Sequence, residues 1–315
     1  MLPAVRRAAA ALAALAVLAP VAAAAVELPG PVVQPAWLAG HRDAVQVLDV
    51  RVDAAGFTVD GHIPDAVLVR ADDLRTTRTR QGRQDKRMLP GPETFRTRAR
   101  GWGLTPDQPV VVAPSGKSPR ALADATYLYW ALRHYGHESV ALLAGGTAAW
   151  KAAGHDTSRK VVLPRPTDYK VGEAGGTVLA TTEDVAAIVE DGRGRLVDAR
   201  PLPYYVGLRK KPWVARAGHL PDAVHLPYTL LTRNGGSSRL RDGATLDRVA
   251  RVMDVPRDAS PLVVYGNSGR VASLVWFVLS ELLDHRDTRL YDGGMHAWAK
   301  AAGRPVVNPV RDATP

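Results

Sequence analysis

The chain of 315 residues is long enough for two ordinary domains, each with its own core, which excludes a small stapled scaffold. Hydrophobic residues at 46% and charged residues at 23% exclude a largely disordered chain, and 41 Lys and Arg against 31 Asp and Glu leave a net charge of +10 that favours anionic ligands. Cysteine is absent, which removes disulfides, thiolate metal ligands, iron–sulfur clusters and every mechanism that passes through a cysteine nucleophile.

Residues 1–25 read as a signal peptide. Arg6 and Arg7 precede an Ala- and Leu-rich run from Ala8 to Val21, and Ala22 to Ala25 offer a cleavage site. Pro20 and the weak hydrophobicity of alanine argue against a lasting membrane anchor, so export to the periplasm is expected, with no stable membrane span after cleavage. Two domains follow, 33–160 and 177–308, joined by a linker over 161–176 that is marked by Pro164, Pro166, Gly172, Gly175 and Gly176.

The two domains carry the same segments in the same order, with a period near 150 residues. Asp49-Val50-Arg51 after an apolar run returns as Asp198-Ala199-Arg200. Gly61-His62-Ile63-Pro64-Asp65-Ala66-Val67 returns as Gly218-His219-Leu220-Pro221-Asp222-Ala223-Val224. Val110 to Ala113 matches Leu262 to Tyr265, and Ala144-Gly145-Gly146 with Trp150 matches Asp292-Gly293-Gly294 with Trp298. Short Val-rich runs alternate with stretches of helical spacing, which predicts an α/β class with two mainly parallel sheets, each flanked by helices. The strand Leu262 to Tyr265 enters the loop Gly266-Asn267-Ser268-Gly269-Arg270-Val271, and a helix follows with Ala272, Leu274, Val275, Phe277 and Val278. Loop amides and a helix N-terminus at one strand end favour an anion there. The equivalent loop of the first domain, Pro114 to Pro119, loses two amide donors to proline and reads as the poorer cradle.

These segments, from about Val33 to Val307, resemble the tandem-domain rhodaneses, the thiosulfate and 3-mercaptopyruvate sulfurtransferases. The resemblance implies a structural first domain and a second domain whose active loop, Cys-x-x-Gly-x-x-Ala, maps onto Gly266, Gly269 and Ala272. It also implies covalent catalysis, in which a cysteine thiolate holds sulfane sulfur as a persulfide. Gly266 occupies the nucleophile position and has no side chain to activate, so no catalytic residue is retained. Tyr204-Tyr205 stands where the family carries an Arg-aromatic pair that helps to bind the anionic substrate, so that arginine is missing as well.

Other chemistries are weaker. Ser268 lacks the Gly-x-Ser-x-Gly elbow of a serine nucleophile. His62 and His219 read as structural histidines, Trp150 and Trp298 as packing residues, and Arg209-Lys210-Lys211 as a solvated loop, with a compensating anion contact as the alternative. No metal site and no cofactor are expected, because no three ligands show a recognisable spacing. The expectation is an inactive module whose loop, residues 266–271, binds a small sulfur-containing anion, with no nucleic-acid partner. Two alternatives stay open: an active sulfurtransferase with an unrecognised nucleophile, and a scaffold for an unidentified protein partner.

Overall fold

The computed structural model describes residues 26–80, 83–172, 178–233, 237–258 and 261–312, so the signal segment and part of the expected linker lie outside the described residues. In the first half the order is β1 (Val32–Val33), α1 (Pro35–His41), β2 (Gln46–Arg51), α2 (Ala55–Thr58), β3 (Val67–Arg70), β4 (Thr76–Arg80), β5 (Arg83–Met88), α3 (Pro92–Gly101), β6 (Val110–Pro114), α4 (Pro119–His134), β7 (Val140–Leu143) and α5 (Gly146–Ala152). The second half runs α6 (Thr182–Asp191), β8 (Arg195–Asp198), α7 (Leu202–Tyr205), β9 (Val224–His225), α8 (Gly243–Val252), β10 (Leu262–Tyr265), α9 (Gly269–Phe277), β11 (Thr288–Tyr291), α10 (Gly294–Trp298) and α11 (Pro309–Asp312).

Each half forms its own parallel sheet, in the orders β1-β7-β6-β2-β3 and β11-β10-β8-β9. The strands are continuous apolar runs because both faces are covered: β6 is buried along its whole length, as is β10. The two halves meet where α4 crosses α9. Thr126 and Ser273 share a hydroxyl hydrogen bond of 2.9 Å at that crossing, and one hydrophobic core runs from Leu48 in the first sheet through Tyr127 and Trp276 to Leu290 in the second.

One element has no counterpart in the sequence reading. Strands β4 and β5 form an antiparallel hairpin in the first half and reach across to the second half. The Leu89 N–H donates to Asp292 at 2.7 Å, the Lys86 N–H to His296 Nε2 at 3.1 Å, and Lys300 Nζ to the Asp85 carboxylate and the Gln84 carbonyl, each at 2.6 Å. Nothing in the segment's apolar pattern announces it, because polar and backbone contacts hold it in place.

Candidate functional site

Parallel pairing brings three strand ends of the second domain together. Tyr265, the last residue of β10, stands opposite Asp198 of β8 on one side and Tyr291 of β11 on the other. The loops leaving these strands therefore gather at one edge, the usual place for a ligand on a parallel sheet. After β8, Arg200 turns back on Asp198, with Nε 2.9 Å from Oδ1 and Nη2 2.5 Å from Oδ2, and it also donates to the Gly218 carbonyl at 2.7 Å. Burial opposes the charge on Arg200, but Asp198 outweighs it and holds the guanidinium pKa above its ordinary value. Asp49 and Arg51 repeat this buried pair in the first domain. The Asp-x-Arg segments are thus braces, and Arg200 has one contact to spare for the loop, at 3.4 Å to Asn267 Oδ1.

The loop itself is pinned from below, since the Gly266 and Asn267 carbonyls accept from the N–H groups of Met295 and His296 at 2.9 and 3.1 Å. Ser268 is the N-cap of α9, yet its side chain makes no capping bond, whereas Ser118 at the same place before α4 accepts from the Ala121 N–H at 3.1 Å. Among the described residues the first turn of α9 therefore presents its N–H groups without a capping side chain, which leaves the helix end electropositive. Gly269 sits where the domains touch: a Cβ there would lie 2.3 Å from Asp292 Oδ1 and 2.8 Å from Tyr127 Cε2, so only glycine permits the approach. Arg270 reaches the other domain and forms an ion pair with Asp124, which Arg75 also contacts at 3.2 Å. Burial raises the Asp124 pKa, and the two guanidiniums pull it back.

Beside the loop is a cavity of about 190 Å³. Asn267, Ser268, Arg270 and Val271 line it, together with Arg200, Tyr204, Lys211 and Trp213 from the same domain. Gly266 and Gly269 are not in its wall. Arg75, Arg87 and Arg120 of the first domain complete the lining, so six cationic side chains face one small space. Arg200 is neutralised by Asp198, and Arg75 and Arg270 share Asp124. Among the described residues, Arg87, Arg120 and Lys211 have no carboxylate within 4.0 Å; Arg87 lies over Trp213 at 5.2 Å and Lys211 over Tyr204 at 5.5 Å. The Nε groups of Arg75 and Arg270 are buried without an acceptor among the described residues.

Lys211 lines the cavity wall, and beside Tyr204, which stands at the position of the missing arginine, arginines from the other domain line the same space. Arg120 was within reach of sequence reasoning, because it is the second residue of α4 as Arg270 is of α9, whereas Arg75 and Arg87 belong to the hairpin region that sequence pattern does not reveal. His62 lies between the Phe57 and Lys160 carbonyls at 3.0 and 3.2 Å, and His219 faces the Tyr205 carbonyl at 2.8 Å, so both brace turns. The Trp150 and Trp298 indoles are buried and donate to the Asp156 and Pro305 carbonyls. Among the described residues no three His, Asp or Glu side chains cluster as metal ligands, and no helix is long and apolar enough to cross a membrane.

Comparison with known proteins matches the rhodanese-like domain family over residues 34–153 and 181–301. The chain is 30% identical over 286 residues to the 3-mercaptopyruvate sulfurtransferase of Escherichia coli, covering 87% of this chain and 96% of that protein. It is 31% identical over 280 residues to the putative thiosulfate sulfurtransferase SseA of Mycobacterium tuberculosis, covering 86% and 88%. The crystal structure of SseA from Escherichia coli superposes with a TM-score of 0.71 at 28% identity and covers 84% of this chain and 98% of that one.

Proposed function

The chain belongs to the rhodanese-like family, with two rhodanese-like domains and no cysteine, and from that membership we propose that it is a binding module for a small sulfur oxyanion that it does not turn over. The observation that carries this reading is the set of three cations, Arg87, Arg120 and Lys211, that line the cavity beside the start of α9 with no carboxylate within 4.0 Å among the described residues. An oxyanion supplies acceptors to those cations and to the free N–H groups together, and charge-assisted hydrogen bonds of this kind contribute roughly 1.5–3 kcal/mol each. The size agrees, since drug-sized ligands occupy roughly 300–1,000 Å³ and this space of about 190 Å³ suits something nearer to sulfate or thiosulfate.

Turnover fails at the first step. Sulfur transfer of the family type needs a thiolate to attack the outer sulfur of thiosulfate and expel sulfite, and no thiol exists anywhere in the chain. Ser268 is no substitute, because among the described residues no histidine hydrogen-bonds to it. A thiosulfate and cyanide assay tests this directly: thiocyanate should form only at the background rate, and turnover sensitive to substitutions at 266–271 would refute the reading. The proposal includes export, which rests on Arg6, Arg7 and the apolar run after them, and an amino-terminal reporter fusion should be processed and recovered outside the cytoplasm.

A further inference from the structure

The hairpin that delivers Arg87 is irregular at that residue. Thr76 pairs with Met88 but Arg78 pairs with Asp85, so Lys86 and Arg87 together stand opposite Thr77. This is a β-bulge, which turns a side chain off its regular direction and frees backbone groups from the ladder. Arg87 has φ of 64°, a left-handed conformation that a side-chain-bearing residue adopts only when its surroundings hold it there. Both flanks are held from the other domain, by His296 at the Lys86 N–H and by Asp292 at the Leu89 N–H.

The geometry at His296 fixes its protonation state. Its Nδ1 lies 2.7 Å from the Trp213 carbonyl and must donate, while its Nε2 receives the Lys86 N–H at 3.1 Å and must accept. Only the neutral Nδ1–H tautomer does both. The ring also sits edge-on to Trp213, 5.4 Å between centroids, and Arg87 lies over that same indole.

We propose that His296 is a positioning residue: in its neutral form it clasps the bulge to the Trp213 loop and so holds Arg87 in the anion cavity, and protonation of Nε2 opens the clasp. The charged groups around it are Lys300 on the turn after α10 and Asp85 and Lys86 on the hairpin, with Arg87 beyond Trp213. Burial lowers the His296 pKa from its ordinary 6.5, and the lysines lower it further against the Trp213 carbonyl and Asp85. The clasp is thus closed at neutral pH and opens as pH falls below that lowered value. Its consequence for binding rests on the proposed anion site, but the clasp itself does not.

Backbone amide exchange of the unliganded protein, corrected for the intrinsic pH dependence, tests it between about pH 7.5 and about pH 4.5, the range in which histidine changes charge. The Lys86 amide should lose protection by about three- to tenfold on acidification, the equivalent of one net hydrogen bond. His296→Gln offers an uncharged acceptor near the Nε2 position and should keep Lys86 protected at both pH values, while His296→Asn keeps only the donor to Trp213 and should leave Lys86 exposed at both. Sulfate titrations supply the functional arm, in which the wild-type affinity relative to His296→Gln should fall by roughly tenfold over the same range. Equal, pH-independent protection of Lys86 in the wild type and in His296→Asn would overturn the clasp. Sulfate that binds neither protein would overturn the anion reading and leave the amide result standing.

Discussion

Substituting cysteine for Gly266 separates loss of a nucleophile from loss of the site around it. The backbone of Gly266 is not left-handed, so a side chain is conformationally allowed, but an added Cβ would lie 2.9 Å from the Ser268 carbonyl oxygen, 3.1 Å from Val271 Cγ2 and 3.7 Å from the Ala272 nitrogen. The Ser268 carbonyl must retreat by roughly 0.5 Å to reach ordinary contact, a strain of the order that overpacking imposes, about 1–3 kcal/mol. Gly266→Cys should therefore fold, with a melting point lowered by roughly 2–10 °C. Its thiol would sit before the start of α9, next to the Asn267 that Arg200 contacts, where the pKa should fall below the usual value of about 8.5. After treatment with thiosulfate, mass spectrometry should find one added sulfur atom, as the thiolate takes the outer sulfur and sulfite departs with the electron pair of the broken S–S bond. A folded Gly266→Cys protein that takes up no sulfur would refute the claim that the loop keeps the family's shape.

Asp124→Asn removes the carboxylate that Arg75 and Arg270 share at 2% exposure, and leaving two buried guanidiniums without a counter-charge should lower stability by about 3 kcal/mol in urea unfolding. At the bulge the usual ranking of small residues should invert: Arg87→Gly should be more stable than Arg87→Ala by about 1 kcal/mol, because φ of 64° suits glycine, while both lose sulfate affinity. Acid should weaken the fold as well. Burial holds the His134 pKa down, from 6.5 to about 4, so the unfolded chain binds the proton first and stability falls as pH drops from about 6.5 to about 4. The linkage is worth about 3 kcal/mol over that range, His137, His219 and His285 add to it in the same direction, and Asp124 and Asp292, whose pKa values burial raises, oppose it near the acid end. Urea unfolding at several pH values should show the decline, and His134→Leu should flatten it.

The repeat was legible because its marks are local. Asp-x-Arg needs one strand end and one turn, and the apolar runs of β6 and β10 are buried on both faces, so the sequence spells them without interruption. The cavity was legible only in half. Of its second-domain wall, Asn267, Ser268, Arg270 and Val271 follow β10 in the chain and Arg200, Tyr204, Lys211 and Trp213 follow β8, but Arg75, Arg87 and Arg120 arrive from another domain, and their convergence depends on how α4 crosses α9 and how the hairpin folds over. The hairpin was invisible for a physical reason: Thr76 to Met88 is almost wholly polar and has no alternating apolar face, and backbone bonds to His296 and Asp292 dock it instead. Lys211 was legible only as the less favoured alternative, because a run of three basic residues is usually solvated, and the fold places one of them in the cavity wall over Tyr204.

Calorimetric titration of the protein with thiosulfate tests the central claim most directly. A module built on Arg87, Arg120 and Lys211 should give a saturable isotherm with one site per chain, weakened by salt, and Arg120→Ala should reduce its affinity by roughly tenfold or more. Heats that do not saturate, or an isotherm that Arg120→Ala and Lys211→Ala leave unchanged, would contradict the account.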